Sequence, residues 1–392
     1  MKKFAGILLL LCVGLLPAQV SNNALLKVFD AAFRQTPNKN LLLSPWGIQQ
    51  CFGMVYGGAG QVSAAELERV LGINAQAVRE LQSAAQSLKN TAAKFNSFNA
   101  ILFSSKYVLQ KSFIKYAMNE CGGKLYRVDF ARKDECVKLL NDIVRRETFN
   151  MFDNVFTPQT LSGDPVMVLL NVLYFKARWM NDFDKESTRK ERFSIPAKGF
   201  EALTHKQVDM MNDSRYLPYY NDGKVHGIIL DYADRRFKLL LLTTLNALKP
   251  VSEVTSLLAE KGIQYFVKKS SSGNKTIIKL PKLKISGEVD LKDLFGQLGM
   301  KNIFDPQIGD LGRMVEQKVL YISKAKQLVK LNLDENGTEV AAVTYAVAEC
   351  ASAPPGFVQY NRFYADHPFA AVLFDSKTNA VLLAGVIVDP EK

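Results

Sequence analysis

The sequence predicts an α+β fold in one large domain. Three observations carry this reading. Amphipathic helical segments gather in the first half, strand-like apolar runs gather in the second, and no strand–helix–strand alternation joins them. The chain has 392 residues, 48% hydrophobic and 22% charged, and length alone suggests two or three domains. No Pro/Gly/Ser-rich or charge-block linker interrupts the apolar periodicity, so a single domain over 21–392 is expected.

The elements follow in order. Lys2 and Lys3 precede the apolar run Phe4 to Leu16, and Pro17-Ala18-Gln19-Val20-Ser21 follow, which is the layout of a secretory signal peptide over 1–20. Thirteen apolar residues fall short of a membrane span. No later stretch is long and apolar enough to cross, so secretion without a membrane anchor is expected. Leu25, Val28, Phe29, Ala32 and Phe33 recur at helical spacing. Ser44-Pro45 suits the start of a second helix, with Ser as N-cap and Pro at the first helical position. Ser63-Ala64-Ala65-Glu66 has the form of a capping box opening a third. A further helix is expected over Glu135 to Arg146. Val166 to Phe175 and Phe237 to Leu245 read as buried strands, and Lys268 to Asn274 as a loop between strands. Ala370 to Phe374 and Ala380 to Val388 flank a turn and read as a hairpin.

Composition narrows the function. The net charge of +12 falls to +10 when Lys2 and Lys3 leave with the signal. The basic residues are scattered, and a modest density at Lys268, Lys269, Lys275, Lys279, Lys282 and Lys284 reads as a solvated strand face and loop. Glycosaminoglycan binding is the alternative reading of that stretch, and no nucleic-acid motif is present. Cys51, Cys121, Cys136 and Cys350 remain in the mature chain, too few for a disulfide framework in a domain of this size. Cys121 and Cys136 either pair across a short strand or stay as free thiols. Three sequons, at Asn212, Asn274 and Asn336, become available to glycosylation on secretion. Neither metal-ligand spacing nor a cofactor fingerprint appears. His205, His226 and His367 are the only histidines, and no nucleophile motif accompanies them, so no catalytic residue is expected.

One segment stands apart. From Glu335 to Ala353, the even positions Thr338, Val340, Ala342, Thr344, Ala346 and Ala348 are all small or β-branched. That face could enter a sheet without overpacking. Glu339, Tyr345 and Glu349 suit the opposite, exposed face, and Gly337 supplies a hinge. Strand physics by itself reads this segment as an ordinary buried strand.

A family resemblance reads it differently. Glu335-Asn336-Gly337-Thr338-Glu339-Val340-Ala341-Ala342 resembles the hinge of serpin reactive loops, and Phe363 to Phe369 is similar to the serpin signature downstream of that loop. Asn40 to Pro45, Asn171 to Trp179 with Phe183, Met210-Met211, Leu280-Pro281-Lys282 and Leu320 to Lys324 follow in family order. The resemblance covers nearly the whole mature chain. It implies the serpin fold, with helices packed around three β-sheets and an exposed reactive loop at about 335–360. It also implies a monomeric inhibitor of a serine protease, not an enzyme: the protease cleaves the loop, and the cut segment inserts into a five-stranded sheet. By the same resemblance Ser44, Asn171 and a histidine position, occupied here by Gln327, form a hydrogen-bonded shutter beneath the sheet, and Trp179 marks its breach. Gly47 replaces a usual serine, and Val340 and Val343 replace smaller residues whose extra methyls would slow insertion. The alternative is a non-inhibitory carrier, storage protein or protease substrate of the same fold. Thr338 favours inhibition, because family members that lost activity often carry a charged or bulky residue there.

Counting sixteen positions from Glu335, as the family hinge implies, places the scissile bond at Ala351–Ser352 and favours an elastase-like protease. Phe357 for a chymotrypsin-like target and Arg362 for a trypsin-like one are the fallback baits, because the distal segment to Pro368 is longer than the family norm. Mass spectrometry of the C-terminal fragment released on protease treatment is expected to show a new N-terminus at Ser352; any other N-terminus overturns the assignment.

Overall fold

The computed structural model describes residues 22–88, 91, 93–150, 152–163, 165–197, 202–316, 319–338 and 359–391. The expected helices form where their apolar faces find cover. Leu25, Val28, Phe29 and Phe33 of the helix Asn23–Gln35 are buried, and the helix packs on Ser252–Lys261. Asp30 ties the two together by accepting from Thr255 Oγ1 at 2.6 Å. The helix Pro45–Tyr56 starts as its sequence dictates: Ser44 Oγ accepts the Gly47 N–H at 3.0 Å and Pro45 occupies the first position. It is buried almost all round, because it lies under the central sheet.

That sheet contains Leu283–Asp290, Lys324–Asp334, Met167–Arg178, Lys94–Ser104 and Lys124–Val128 as five long strands, with the two-residue strand Gly337–Thr338 wedged in the middle. Its central strand alternates between two cores. Val168, Leu170 and Val172 pack with Leu140, Ile143 and Val144 of the helix Lys133–Glu147, while Met167 and Leu169 join Ile48 and Phe52 on the other side. Burial on both faces explains the apolar run read from the sequence, which only Asn171 interrupts.

A second sheet runs in the order Leu41–Leu43, Val381–Ile387, Phe369–Asp375, Phe237–Thr244, Val225–Asp231 and Tyr219–Asn221. It contains the expected hairpin, with Phe369 opposite Ile387. Buried Asp375 at the hairpin turn receives Arg236 Nε at 2.8 Å and Nη2 at 2.7 Å, and Arg236 also donates to the Ser87 carbonyl at 2.6 Å. The third sheet has Asn361–Tyr364, Lys275–Pro281, Leu203–Tyr216 and Arg189–Pro196 in order.

Several sequence expectations need correction. Three short helices, Ser252–Lys261, Ile263–Lys269 and Leu291–Gln297, lie in the strand-rich half. Lys268 and Lys269 belong to the last turn of one of them, so only 270–274 forms the loop. The capping box does not form. The third helix is Gln61–Leu71, which makes Ser63 its third residue, and the buried Ser63 hydroxyl has no partner. Asp310, from a distant loop, accepts the Val62 and Ser63 N–H groups at 3.1 and 3.2 Å and caps the helix instead. Glu66 accepts from Lys301 N and Asn302 N. Cys121 and Cys136 are free thiols, Cys136 Sγ donating to the Asp129 carbonyl at 2.9 Å. Burial pushes the Cys51 thiol up to about 12 and the Cys121 thiol to about 11, so both stay protonated at neutral pH. Among the described residues no helix is long and apolar enough to cross a membrane.

The two capping assignments separate by mutation. Asp310→Ala is expected to destabilise the fold by about 0.5–2 kcal/mol, the usual cost of a lost cap. Ser63→Ala, removing an unpaired buried hydroxyl, is expected to be neutral or mildly stabilising. Urea unfolding midpoints check both.

Candidate functional site

The site lies where the two middle strands of the central sheet part. Lys324–Asp334 runs parallel to Met167–Arg178 and pairs with it directly from Lys324 opposite Val168 to Val329 opposite Leu173. Above that point the strands diverge. Gly337 sits between Asp334 and Arg178, and Thr338 between Leu333 and Ala177, antiparallel to both neighbours. Glycine is required at 337: its φ is 147°, and a Cβ would strike the Ala177 carbonyl oxygen.

Aromatic packing holds this wedge. Thr338 is 2% exposed, and its Oγ1 lies 2.6 Å from the Tyr232 hydroxyl. Tyr232 stacks on Trp179 at 4.6 Å and meets Phe175 edge-on at 5.1 Å. Burial pushes the Tyr232 phenol above its ordinary range. Trp179 Nε1 donates to the Asp334 carbonyl at 2.9 Å, and its backbone N–H donates to the Asn336 carbonyl at 3.0 Å. Glu335 turns inward, with Lys282 at 3.1 Å and the Thr188 hydroxyl donating at 2.9 Å. Burial alone would raise its pKa. Hydrogen bonds from its own backbone N–H, Thr188 and Lys282 outweigh that, and the net direction is down.

Below the wedge, three amides stand in register across three strands. Asn171 faces Gln327 on one side and Asn99 on the other. Gln327 Nε2 donates to Asn171 Oδ1 at 2.7 Å and to the Ser44 carbonyl at 3.0 Å, while its Oε1 accepts the Ser44 N–H at 2.7 Å. Asn171 Nδ2 donates to Asn99 Oδ1 at 2.7 Å, and Asn99 Nδ2 donates to Gln50 Oε1 at 3.0 Å. Ser44 Oγ donates to the Leu382 carbonyl at 2.7 Å, which ties this row to the second sheet. A Cβ on Gly47 would collide with the Asn171 amide, so the missing side chain makes room for this orientation. Asn99 and Gln50 were missed in the sequence. The available signal was a polar residue inside the apolar run Phe98 to Phe103.

A family model described as "Serpin (serine protease inhibitor)" matches residues 19–390. The chain belongs to the serpin family. Alpha-1-antitrypsin of Sus scrofa is 28% identical over 91% of this chain and 83% of its own length. Serpin B5 of Xenopus tropicalis is 26% identical over 95% of this chain and 98% of its own. Among solved structures, human thyroxine-binding globulin complexed with thyroxine superposes with a TM-score of 0.82 at 21% identity, covering 95% of this chain and 97% of that one. The thermophilic serpin tengpin in its native state gives 0.83 at 22%, covering 94% and 92%.

Of the serpin residues named from the sequence, the structure brings Ser44, Asn171 and Gln327 together in one place and Trp179, Glu335, Gly337 and Thr338 in another. Val340, Ala342, Ala351 and Ser352 lie outside the described residues. The sequons differ in setting. Asn336 is 8% exposed, and the half-buried Asn212 amide donates to Glu191 Oε1 at 2.9 Å; Asn274 sits in the surface turn after a helix. His367 has a triad-like setting, with Asp366 at 2.8 Å and Thr243 Oγ1 at 2.9 Å. Thr243 is fully buried and its hydroxyl donates to the Pro368 carbonyl, so no nucleophile faces solvent there.

The Glu335 pKa direction makes a pH prediction. A carboxylate whose pKa is depressed in the folded state adds stability above its unfolded pKa of about 4.3, and loses it as pH falls through the lower folded value. Wild type is therefore expected to lose stability faster than Glu335→Gln as pH drops below about 5, with no such divergence between pH 6 and 8. Chemical denaturation across that range checks it; parallel curves would contradict the Lys282–Glu335 assignment.

Proposed function

We propose that this serpin is a secreted inhibitor of a serine protease, working as a suicide substrate through cleavage and insertion of the loop that follows Thr338. The observation that carries the reading is the wedge. Gly337 and Thr338 already occupy the gap between Met167–Arg178 and Lys324–Asp334, with Thr338 buried and its hydroxyl bonded. In the proposed mechanism the protease attacks Ala351–Ser352 and forms an acyl-enzyme. The freed segment then follows Thr338 down the same gap, each even-numbered side chain turning inward, and draws the protease with it. Ser44, Asn171 and Gln327 act as the shutter that must part below the wedge, and Trp179 acts at the breach. No residue of the chain performs chemistry on the peptide bond. A small side chain at Ala351 supports an elastase-like partner, and the N-terminal 1–20 pattern supports secretion.

A second reading, a non-inhibitory carrier, storage protein or protease substrate, draws on the fully bonded amide row, which resists parting. The β-branched Val340 also favours it.

One substitution decides between them. Thr338 already lies in the gap, so Thr338→Arg would first drive the hinge out of it, because an unpaired charge held against Tyr232 costs at least several kcal/mol before water relieves it. The loop would then insert more slowly than the acyl-enzyme hydrolyses. Thr338→Arg is expected to fold and to be cut in the loop, yet to yield turnover where wild type yields an SDS-resistant adduct. Equal trapping by the mutant would overturn insertion through this gap. No adduct between wild type and any protease of an elastase-, chymotrypsin- and trypsin-like panel would install the second reading.

A further inference from the structure

The sequence holds a single Asn-Gly pair, Asn336-Gly337, and it lies at the entrance to the central sheet. Asparagine before glycine is the pair most prone to deamidation, because no side chain on the second residue hinders closure of the amide onto the next backbone nitrogen. Here the fold opposes that closure. Asn336 is buried, its N–H donates to Asp334 Oδ1 at 2.8 Å, and its carbonyl accepts the Trp179 N–H at 3.0 Å. Gly337 is paired on both sides, with Asp334 and with Arg178. Ring closure has to turn the peptide between Asn336 and Gly337, and so it has to break these contacts.

The protection lasts only while the wedge is seated. Gly337–Thr338 is two residues long, and so short a strand opens locally at a fraction of the cost of global unfolding. A glycan on Asn336 does not fit the burial of this amide, so the seated hinge carries the bare side chain. With the hinge out, the chemistry needs water alone. The Gly337 nitrogen attacks Asn336 Cγ, a C–N bond forms, the Cγ–Nδ2 bond breaks, and ammonia leaves with the Gly337 proton. Water then opens the cyclic imide. Attack at Cγ gives aspartate, and attack at the α-carbonyl carbon gives isoaspartate, whose main chain runs through Cβ and Cγ. Either way a proton from water restores the Gly337 N–H.

We propose that Asn336 is a deamidation site gated by the wedge: protected while Gly337 and Thr338 sit in the gap, reactive when they leave it, and unable to reseat once converted. Isoaspartate takes the carbonyl that Trp179 holds out of the main chain and lengthens the path to Gly337 by one carbon. Either product adds a carboxylate beside Asp334 and Glu335, and Lys282 is already paired with Glu335. A charge buried there without a partner is costly, so the converted hinge stays outside. Conversion thus makes excursions of the hinge irreversible, and its extent records the time spent out of the gap. The reaction does not depend on whether the loop traps a protease.

The test uses the mature chain made in bacteria, without glycosylation, and held at neutral pH and body temperature. Peptide mass spectrometry reads the amide-to-acid mass gain at Asn336. Conversion of the native chain is expected to run at least tenfold more slowly than conversion of the same chain in urea. Thr338→Arg, which drives the hinge out, is expected to raise the native rate at least fivefold. Conversion at Asn274, in its surface turn, is expected to stay unchanged in that variant, which shows the rest of the fold intact. Converted wild type, separated by ion exchange, is expected to exchange the Gly337 and Thr338 amide hydrogens at least tenfold faster than the unconverted protein. The urea comparison and the exchange measurement need no variant, so they hold even if Thr338→Arg fails to fold. Equal rates in native and urea-unfolded chains, an unchanged rate in folded Thr338→Arg, or unaltered exchange in the converted protein would each overturn the proposal.

Discussion

The structure depends on how the two middle strands of the central sheet are held: together below, apart above. Parallel pairing and the Gln327–Asn171 contact close the lower half. Gly337 and Thr338 prop open the upper half. Neither arrangement alone would leave a sheet able to change. A sheet closed throughout would have no gap, and one open throughout would leave two rows of backbone groups unpaired and buried, which proteins avoid. The two-residue strand satisfies the upper row only at its mouth. Every residue that followed Thr338 downward would exchange a strand–strand pairing for two new ones, each backbone bond contributing about 0.5–1.5 kcal/mol net.

The amide row sets the cost of that exchange. Gln327 spends both N–H groups and its oxygen on Ser44 and Asn171 at once. A neutral imidazole has one donor and one acceptor and could not meet all three partners. The glutamine that departs from the family pattern thus makes a fuller network, and one with no titrating group. Asn171 can lean toward Gln327 only because residue 47 lacks a side chain, so the two departures seen in the sequence are one packing solution. Parting the strands here would break buried polar contacts, which would place a main cost of the proposed sheet opening at this row.

Legibility followed the range of the interactions. Helix faces, the Ser44 cap and the C-terminal hairpin depend on residues near in sequence, and they were readable. The third helix was misread because its cap comes from Asp310, some 250 residues away. Periodicity reported Met167–Arg178 as a buried strand but said nothing of its neighbours; only family order brought Gln327 opposite Asn171. Asn99 was invisible for a related reason. A single polar residue in an apolar run looks like a break in the pattern until the strand beside it is known. The direction in which Thr338 faces was readable, because alternation along a strand is a local rule.

The hinge joins these local and distant controls in one place. Glu335 is held by Lys282 and Thr188, the Trp179 indole N–H donates to the Asp334 carbonyl, and Gly337 fits where no Cβ can. Three anchors on four consecutive residues fix where the chain enters the sheet. An entry fixed this firmly costs conformational entropy once, before any cleavage, so a segment arriving later is guided rather than searching. If the loop inserts as proposed, this geometry favours continuation of an existing strand over a new nucleation. The side chains that matter most are then those that must pass Tyr232, whose hydroxyl already meets Thr338. This is a steric argument for the small inward face of the loop. It holds for any segment that must pass between Ala177 and Leu333, whatever cuts it free.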